Sequence, residues 1–204
     1  ERGDQGWGFE NHGGTATLAN SSIKVLGGWS ATGVHADSGN TTLRDVHIDV
    51  GEASGSNTGV ASGASAQVKI EQVKITANGG VYSYAVDNGG GSDTALINVT
   101  AEAKAASTYN WGVVNQDIAV ITATNLIAKA SGGTGSYGVL NAGTGGTVTV
   151  DRSTVTGASS SVRNDNDSAG FFVGTSKLDG PVSTHLTCFG NYDATYTAVT
   201  CPQE

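Results

Sequence analysis

The apolar positions of this chain follow one scheme seven times over. A small residue is followed by an apolar one and, in most copies, by an asparagine two places beyond. The copies read WGFEN from Trp7, TGVHA from Thr32, TGVAS from Thr58, YAVDN from Tyr84, WGVVN from Trp111, YGVLN from Tyr137 and SSVRN from Ser160. Their small residues, Gly8, Gly33, Gly59, Ala85, Gly112, Gly138 and Ser161, are separated by 25, 26, 26, 27, 26 and 23 residues, the spacing of a solenoid. Ten to twelve residues after each stands a second apolar series, Leu18, Leu43, Ile70, Leu96, Ala123, Val150 and Val173. From these, apolar or small residues fall three, five and seven places on, as in Leu43, Val46, Ile48 and Val50. Steps of two are strand alternation, the step of three is a turn, and helical period is absent.

Each repeat therefore supplies about three short strands, none able to bury its inner face alone. Stacking the coils at about 4.8 Å pairs every strand in parallel with its copies above and below. The predicted fold is all-β, a parallel β-helix of about seven coils. Phe9, Val34, Val60, Val86, Val113, Val139 and Val162 fill one interior column, and the Leu18 to Val173 series fills another. A third column follows the first strand: Asn11, Ala36, Ser62, Asn88, Asn115, Asn141 and Asn164. Asparagine tolerates the left-handed conformation of a sharp turn, so these residues are expected at a turn, with Asn11, Asn88, Asn115, Asn141 and Asn164 forming a structural amide ladder.

With these segments in view, the chain resembles the right-handed parallel β-helix proteins of the pectate-lyase-like group, above all secreted bacterial surface proteins with YGVxN-type repeats. The resemblance spans residues 7 to about 180 and rests on the repeat length, the WGVVN and YGVLN segments and the asparagine column. It implies a right-handed, single-stranded solenoid, in keeping with the hand of parallel crossovers. It leaves function open, because that architecture hosts lyases, hydrolases, adhesins and inert stalks. The expected organisation is repeats over 1–180 and a carboxyl-terminal hairpin cap over 181–204.

Composition changes the picture in two respects. Glycine is 31 of 204 residues, methionine is absent and the formal charge is −8, which suits tight extracellular coils and argues against nucleic acid or anionic membranes as partners. No apolar run approaches 18 residues, so membrane insertion is not expected. Cys188 and Cys201, 13 residues apart in the tail, suit a disulfide across the cap and hence a secreted or cell-surface location. Glu1 stands six residues before the first motif without a leader, the expected look of a processed product or fragment.

Candidate chemistry is sparse. Trp7, Tyr84, Trp111 and Tyr137 share a column, with Thr32 and Thr58 between. Facing outward they would offer a platform for glycans or a cell-surface polysaccharide. They lie two before the inward valines, however, and parity predicts a stacked, partly buried corner instead. Asp165 and Asp167, between Asn164 and Asn166, are a weak calcium candidate, beside the plainer reading of a solvated loop. No catalytic residue and no cofactor are assigned. The four histidines, His12, His35, His47 and His185, look scattered. A polysaccharide-degrading enzyme is the alternative, its site near Asp151, Arg152, Arg163, Asp165 and Asp167. Opposite charges in neighbouring coils, Lys24 with Asp49, Arg44 with Glu71 and Glu102 with Lys129, read as cross-strand pairs. The absence of an amphipathic cap at the amino end makes end-to-end or lateral self-association, even into filaments, a further expectation. The expected function is a non-catalytic structural or adhesive module of a surface protein, fibre or phage appendage.

Overall fold

A computed structural model describes residues 4–167 and 169–202. The chain winds through about seven turns of a β-solenoid with three faces and, among the described residues, no helix. The first face is a seven-stranded parallel sheet of Gln5–Asn11, Ser30–Ala36, Ser56–Ser62, Tyr82–Asn88, Tyr109–Asn115, Gly135–Asn141 and Ser160–Asn164. Its register is that of the repeat: Trp111 pairs with Tyr84 and Tyr137, and Val113 with Val86 and Val139. The second and third faces join into one sheet, because the first two coils cross both in single strands, Thr15–Leu26 and Asn40–Gly51.

The corner between those two faces is the left-handed turn. Asn20, Asp45, Gln72, Asn98, Asn125, Arg152 and Thr175 all have φ between 46° and 55°. Here the offset of three arises, since one residue turns the strand without leaving it. Each corner N–H from Gln72 onward donates to a carbonyl of the next coil, for example Asn98 to Thr124 and Arg152 to Gly174, which offsets the cost of a non-glycine residue in this region. The left-handed turn expected at the Asn11 to Asn164 column is therefore misplaced, as none of those asparagines has positive φ.

The asparagines point inward instead. Asn88, Asn115 and Asn141 are fully buried. Asn88 Nδ2 donates to Asn115 Oδ1 at 2.8 Å, and Asn115 Nδ2 to Asn141 Oδ1 at 3.0 Å. Ser62 Oγ and Thr94 Oγ1 donate to Asn88 Oδ1, each at 2.6 Å. Asn11 belongs to a separate pair with Thr41 Oγ1 at 2.9 Å, and Asn164 Nδ2 donates to the carbonyls of Ala169 and His185. A second polar column, Asn57, Ser83, Asn110 and Ser136, lies buried near the start of the first face. Asn57 and Asn110 grip the backbone of Ala53 and Ala106 from both N–H and carbonyl.

Between these polar rows runs the apolar core, with Val34, Ile48, Ile75, Leu96, Ile121 and Val150 among its fully covered members. The small residue of each repeat faces this core too. A Cβ at Gly33 would come 2.5 Å from Ile48 Cγ2, and one at Gly138 would come 2.5 Å from Val155 Cγ1. Two successive residues thus point inward, and side-chain alternation shifts by one at that kink.

The coil path continues beyond residue 180. Val182 bridges Val162, Thr187–Phe189 pairs with Gly170–Gly174, and Asn191–Tyr192 pairs with Lys177–Asp179, all in parallel. A serine column runs into it: Leu126 N donates to Ser153 Oγ, Ser153 N to Ser176 Oγ, and Ser176 N to Asn191 Oδ1. Among the described residues, only Asn191–Tyr192 with Ala198–Val199 form an antiparallel hairpin. Cys188, in register with Val173, is joined to the buried Cys201 across a Cα separation of 5.7 Å.

Candidate functional site

The kink at the small residue decides where the aromatic column goes. With Gly112 and Val113 both inward, Trp111 faces out, and so do Tyr84 and Tyr137 in the neighbouring coils. The rings are stacked and half-buried, yet they lie on the outer face and not at a corner, since alternation does not hold through the glycine. Two further rings that the repeat motif alone does not include, Tyr82 and Tyr109, stand two residues earlier on the same outer face, 38% and 36% exposed. Trp7 lies in the same column three coils away, paired through Thr32 and Thr58.

The rings form a contiguous stack along the solenoid. Tyr84 and Trp111 lie 4.5 Å apart at 12°, and Tyr82 and Tyr109 lie 6.3 Å apart at 7°. Tyr109 also meets Trp111 at 5.2 Å and Tyr137 at 6.4 Å. At the far end the Arg163 guanidinium lies 5.1 Å from the Tyr137 ring centre, and its Nη1 donates to the Tyr137 hydroxyl at 3.1 Å. Rings packed this way cover one another's faces, so the strip presents mainly rims and phenol hydroxyls.

Polar groups border it. Asp87 lies on the outer side of the strand that carries Tyr82 and Tyr84 and accepts a hydrogen bond from Gln116 Nε2 at 2.5 Å. Burial pushes the Asp87 carboxyl up to about 6, with the Gln116 bond opposing and the nearby Asp117 charge adding to the rise. Burial likewise pushes the Tyr84 hydroxyl up to about 12, with Asp87 and Tyr82 adding to it.

The other candidates stay apart. Asp151 pairs with Arg152 at 3.0 Å on the corner of the second and third faces, whereas Arg163 pairs with Asp165 at 2.5 Å on the first. Asp167 lies 3.1 Å from His185 Nδ1. The acidic pair Asp165 and Asp167 thus meets two different cationic or imidazole partners. Of the charge pairs, Arg44 and Glu71 close at 3.1 Å, and Lys24 with Asp49 and Glu102 with Lys129 are in register. Lys69 joins Arg44 on Glu71 and holds its carboxyl below the usual range, the Lys69 hydrogen bond being the larger cause.

Two of the four histidines are not scattered. His12 and His35, from adjacent coils, both meet Asp37 beside Trp7. The repeat step of 25 residues sets His12 level with Asp37 and Glu10 level with His35, but these two adjacent coils alone carry the pattern, so it does not stand out as a column. The clue in the sequence is the inverted pair of segments, ENH in one coil and HAD in the next.

The chain matches no protein-family model, no curated protein and no solved structure.

Proposed function

We propose that this solenoid is a non-catalytic, extracellular adhesive module whose outer aromatic strip contacts glycans. The observation that carries the reading is that the scaffold does not need the rings. Ser56 and Thr58 occupy the register positions of Tyr82 and Tyr84 one coil earlier, on the same backbone and over the same core. A run of outward rings, Tyr82 and Tyr109 exposed over a half-buried Tyr84, Trp111 and Tyr137, that a neighbouring coil does without is the kind of patch that marks an interaction surface. Its rims offer apolar edges and hydroxyls at coil spacing, and Asp87 with Gln116 adds hydrogen-bonding groups to one side. The disulfide supports an oxidising compartment. A right-handed course like that of pectate-lyase-like surface proteins accords with this role.

The test uses residues that other coils already carry. A glycan array is probed with the intact chain and with a Tyr82→Ser, Tyr109→Ser variant, whose fold is checked by circular dichroism. Binding that the variant loses supports the reading, and binding that it keeps overturns it. Absence of any glycan bound by the wild type also overturns it and turns attention to self-association, which light scattering across a concentration series would reveal.

A further inference from the structure

The same outer face carries a different chemistry in the first two coils. His12 Nδ1 lies 2.7 Å from Asp37 Oδ2, and His35 Nε2 lies 3.0 Å from Asp37 Oδ1. One ligand atom from each of the three residues falls within 4.8 Å of the others. The second ring nitrogen of His12, Nε2, faces Glu10 Oε2 at 3.7 Å. The His35 ring lies 4.7 Å from the Trp7 ring, and its Nδ1 is shielded from solvent with no hydrogen-bond partner.

We propose that His12, His35 and Asp37 bind a divalent transition-metal ion of the zinc class, with Glu10 as the outer acceptor that orients His12. Two imidazole nitrogens and a carboxylate oxygen suit zinc, and calcium or magnesium would ask for oxygen throughout. Ligands around a tetrahedral ion at about 2.0–2.2 Å stand roughly 3.3 Å apart, so the His12 contact at Asp37 opens by about 0.6 Å and the His35 contact by about 0.3 Å, while the set as a whole, within 4.8 Å, draws together. The side chains can give, because His12 is 64% and Asp37 40% exposed. Glu10 supplies the carboxylate–histidine contact that typically fixes the ring of a metal ligand. Trp7, against the His35 ring, limits that ring's freedom before the ion arrives. The fourth position opens to solvent on the His12 side and takes water or an external donor. His12 comes from the first coil, and His35 and Asp37 come from the second, so the ion ties the two together.

The experiment is a zinc titration of the chelator-treated full chain by calorimetry, with the cobalt(II) absorption spectrum as a readout of coordination. One equivalent should bind, with the visible bands of a four-coordinate nitrogen and oxygen site. His35→Ala and Asp37→Asn should each weaken binding by at least tenfold, Glu10→Gln by about tenfold, and His47→Ala not at all. Copper(II) should quench Trp7 fluorescence in the wild type, and Trp7→Phe should remove that quenching and still bind zinc. No uptake by the wild type overturns the proposal, as does equal uptake by the His12→Ala, His35→Ala double variant. Asp37→Asn keeps side-chain volume, so a folding failure of the double variant leaves the outcome readable.

Discussion

Coils one to three and coils four to six share one backbone and differ in what they display. Along the first face, positions in strict register carry Trp7, Thr32 and Thr58 in one half and Tyr84, Trp111 and Tyr137 in the other, so one half holds a lone ring and the other an unbroken run. Inside, the same positions carry Val34 and Val60, then Val86, Val113 and Val139, all fully buried. One half gathers histidine and carboxylate beside a single Trp7 ring, the other gathers a stack of aromatic rings, and the strand pairing does not change. The fold is thus written in the inward columns, and the outward columns are free to carry chemistry.

The comparison breaks if inward positions do not behave alike in both halves. Ile48→Ala in the second coil and Leu96→Ala in the fourth should each cost about 3 kcal/mol, because both remove fully buried side chains from a close-packed column. Urea unfolding measures this, and a cost near zero in either half would show that its core is not shared. Asn115→Ala should cost about 2–3 kcal/mol, since it leaves Asn141 Oδ1 and the Ala119 carbonyl without their buried donor.

Outward changes sharpen the contrast. Ala61 stands in the register place of Asp87, so Asp87→Asn leaves the scaffold intact. The Asp87 carboxyl is raised in the folded state from its ordinary 3.8 to about 6, so the folded form binds the proton more tightly than the unfolded one. Its contribution is fully present below about 3.8 and is lost as pH rises through about 6. The wild type should therefore gain stability as pH falls across that window, and the Asn variant should lose this dependence and be more stable at pH 7 by on the order of 2 kcal/mol. Thermal melts at a series of pH values decide it. Trp111→Thr, which copies the first half into the second, should cost only about 1 kcal/mol and retain the β-sheet spectrum. Its near-ultraviolet circular dichroism should fall as the stack is interrupted.

The solenoid was legible because buried columns must repeat: a valine missing from one coil leaves a hole against two others. The left-handed corner was not, since its occupants, Asn20, Asp45, Gln72, Asn98, Asn125, Arg152 and Thr175, share a backbone conformation and no side-chain type. The direction of Trp111 does not follow from simple alternation, which breaks at Gly112, where an added Cβ would come 2.5 Å from the next coil's Gly138 carbonyl oxygen. The Asn57 and Asn110 column escaped because serine alternates with asparagine there. The His12, His35 and Asp37 cluster occurs in one pair of adjacent coils, so the 25-residue step that sets His12 level with Asp37 never recurs as a column. The last coil is hard to read in the sequence because it carries Cys188 at the register place of Val173 and Asn191 at the end of the serine column, keeping the positions and changing the letters.

The amide ladder also governs how this molecule changes length. From the first coil to the sixth the strand on the first face is always seven residues, although the coils themselves vary by several residues. The differences in coil length all fall outside the three-residue step from the inward small residue to the inward end of the strand, Gly8 to Asn11, Gly33 to Ala36, Gly59 to Ser62 and so on. A one-residue slip there would separate Asn88, Asn115 and Asn141 from their buried partners. Whole coils are therefore the currency of evolution in this chain: a duplicated period meets its neighbours correctly on both sides, and a fraction of one meets neither.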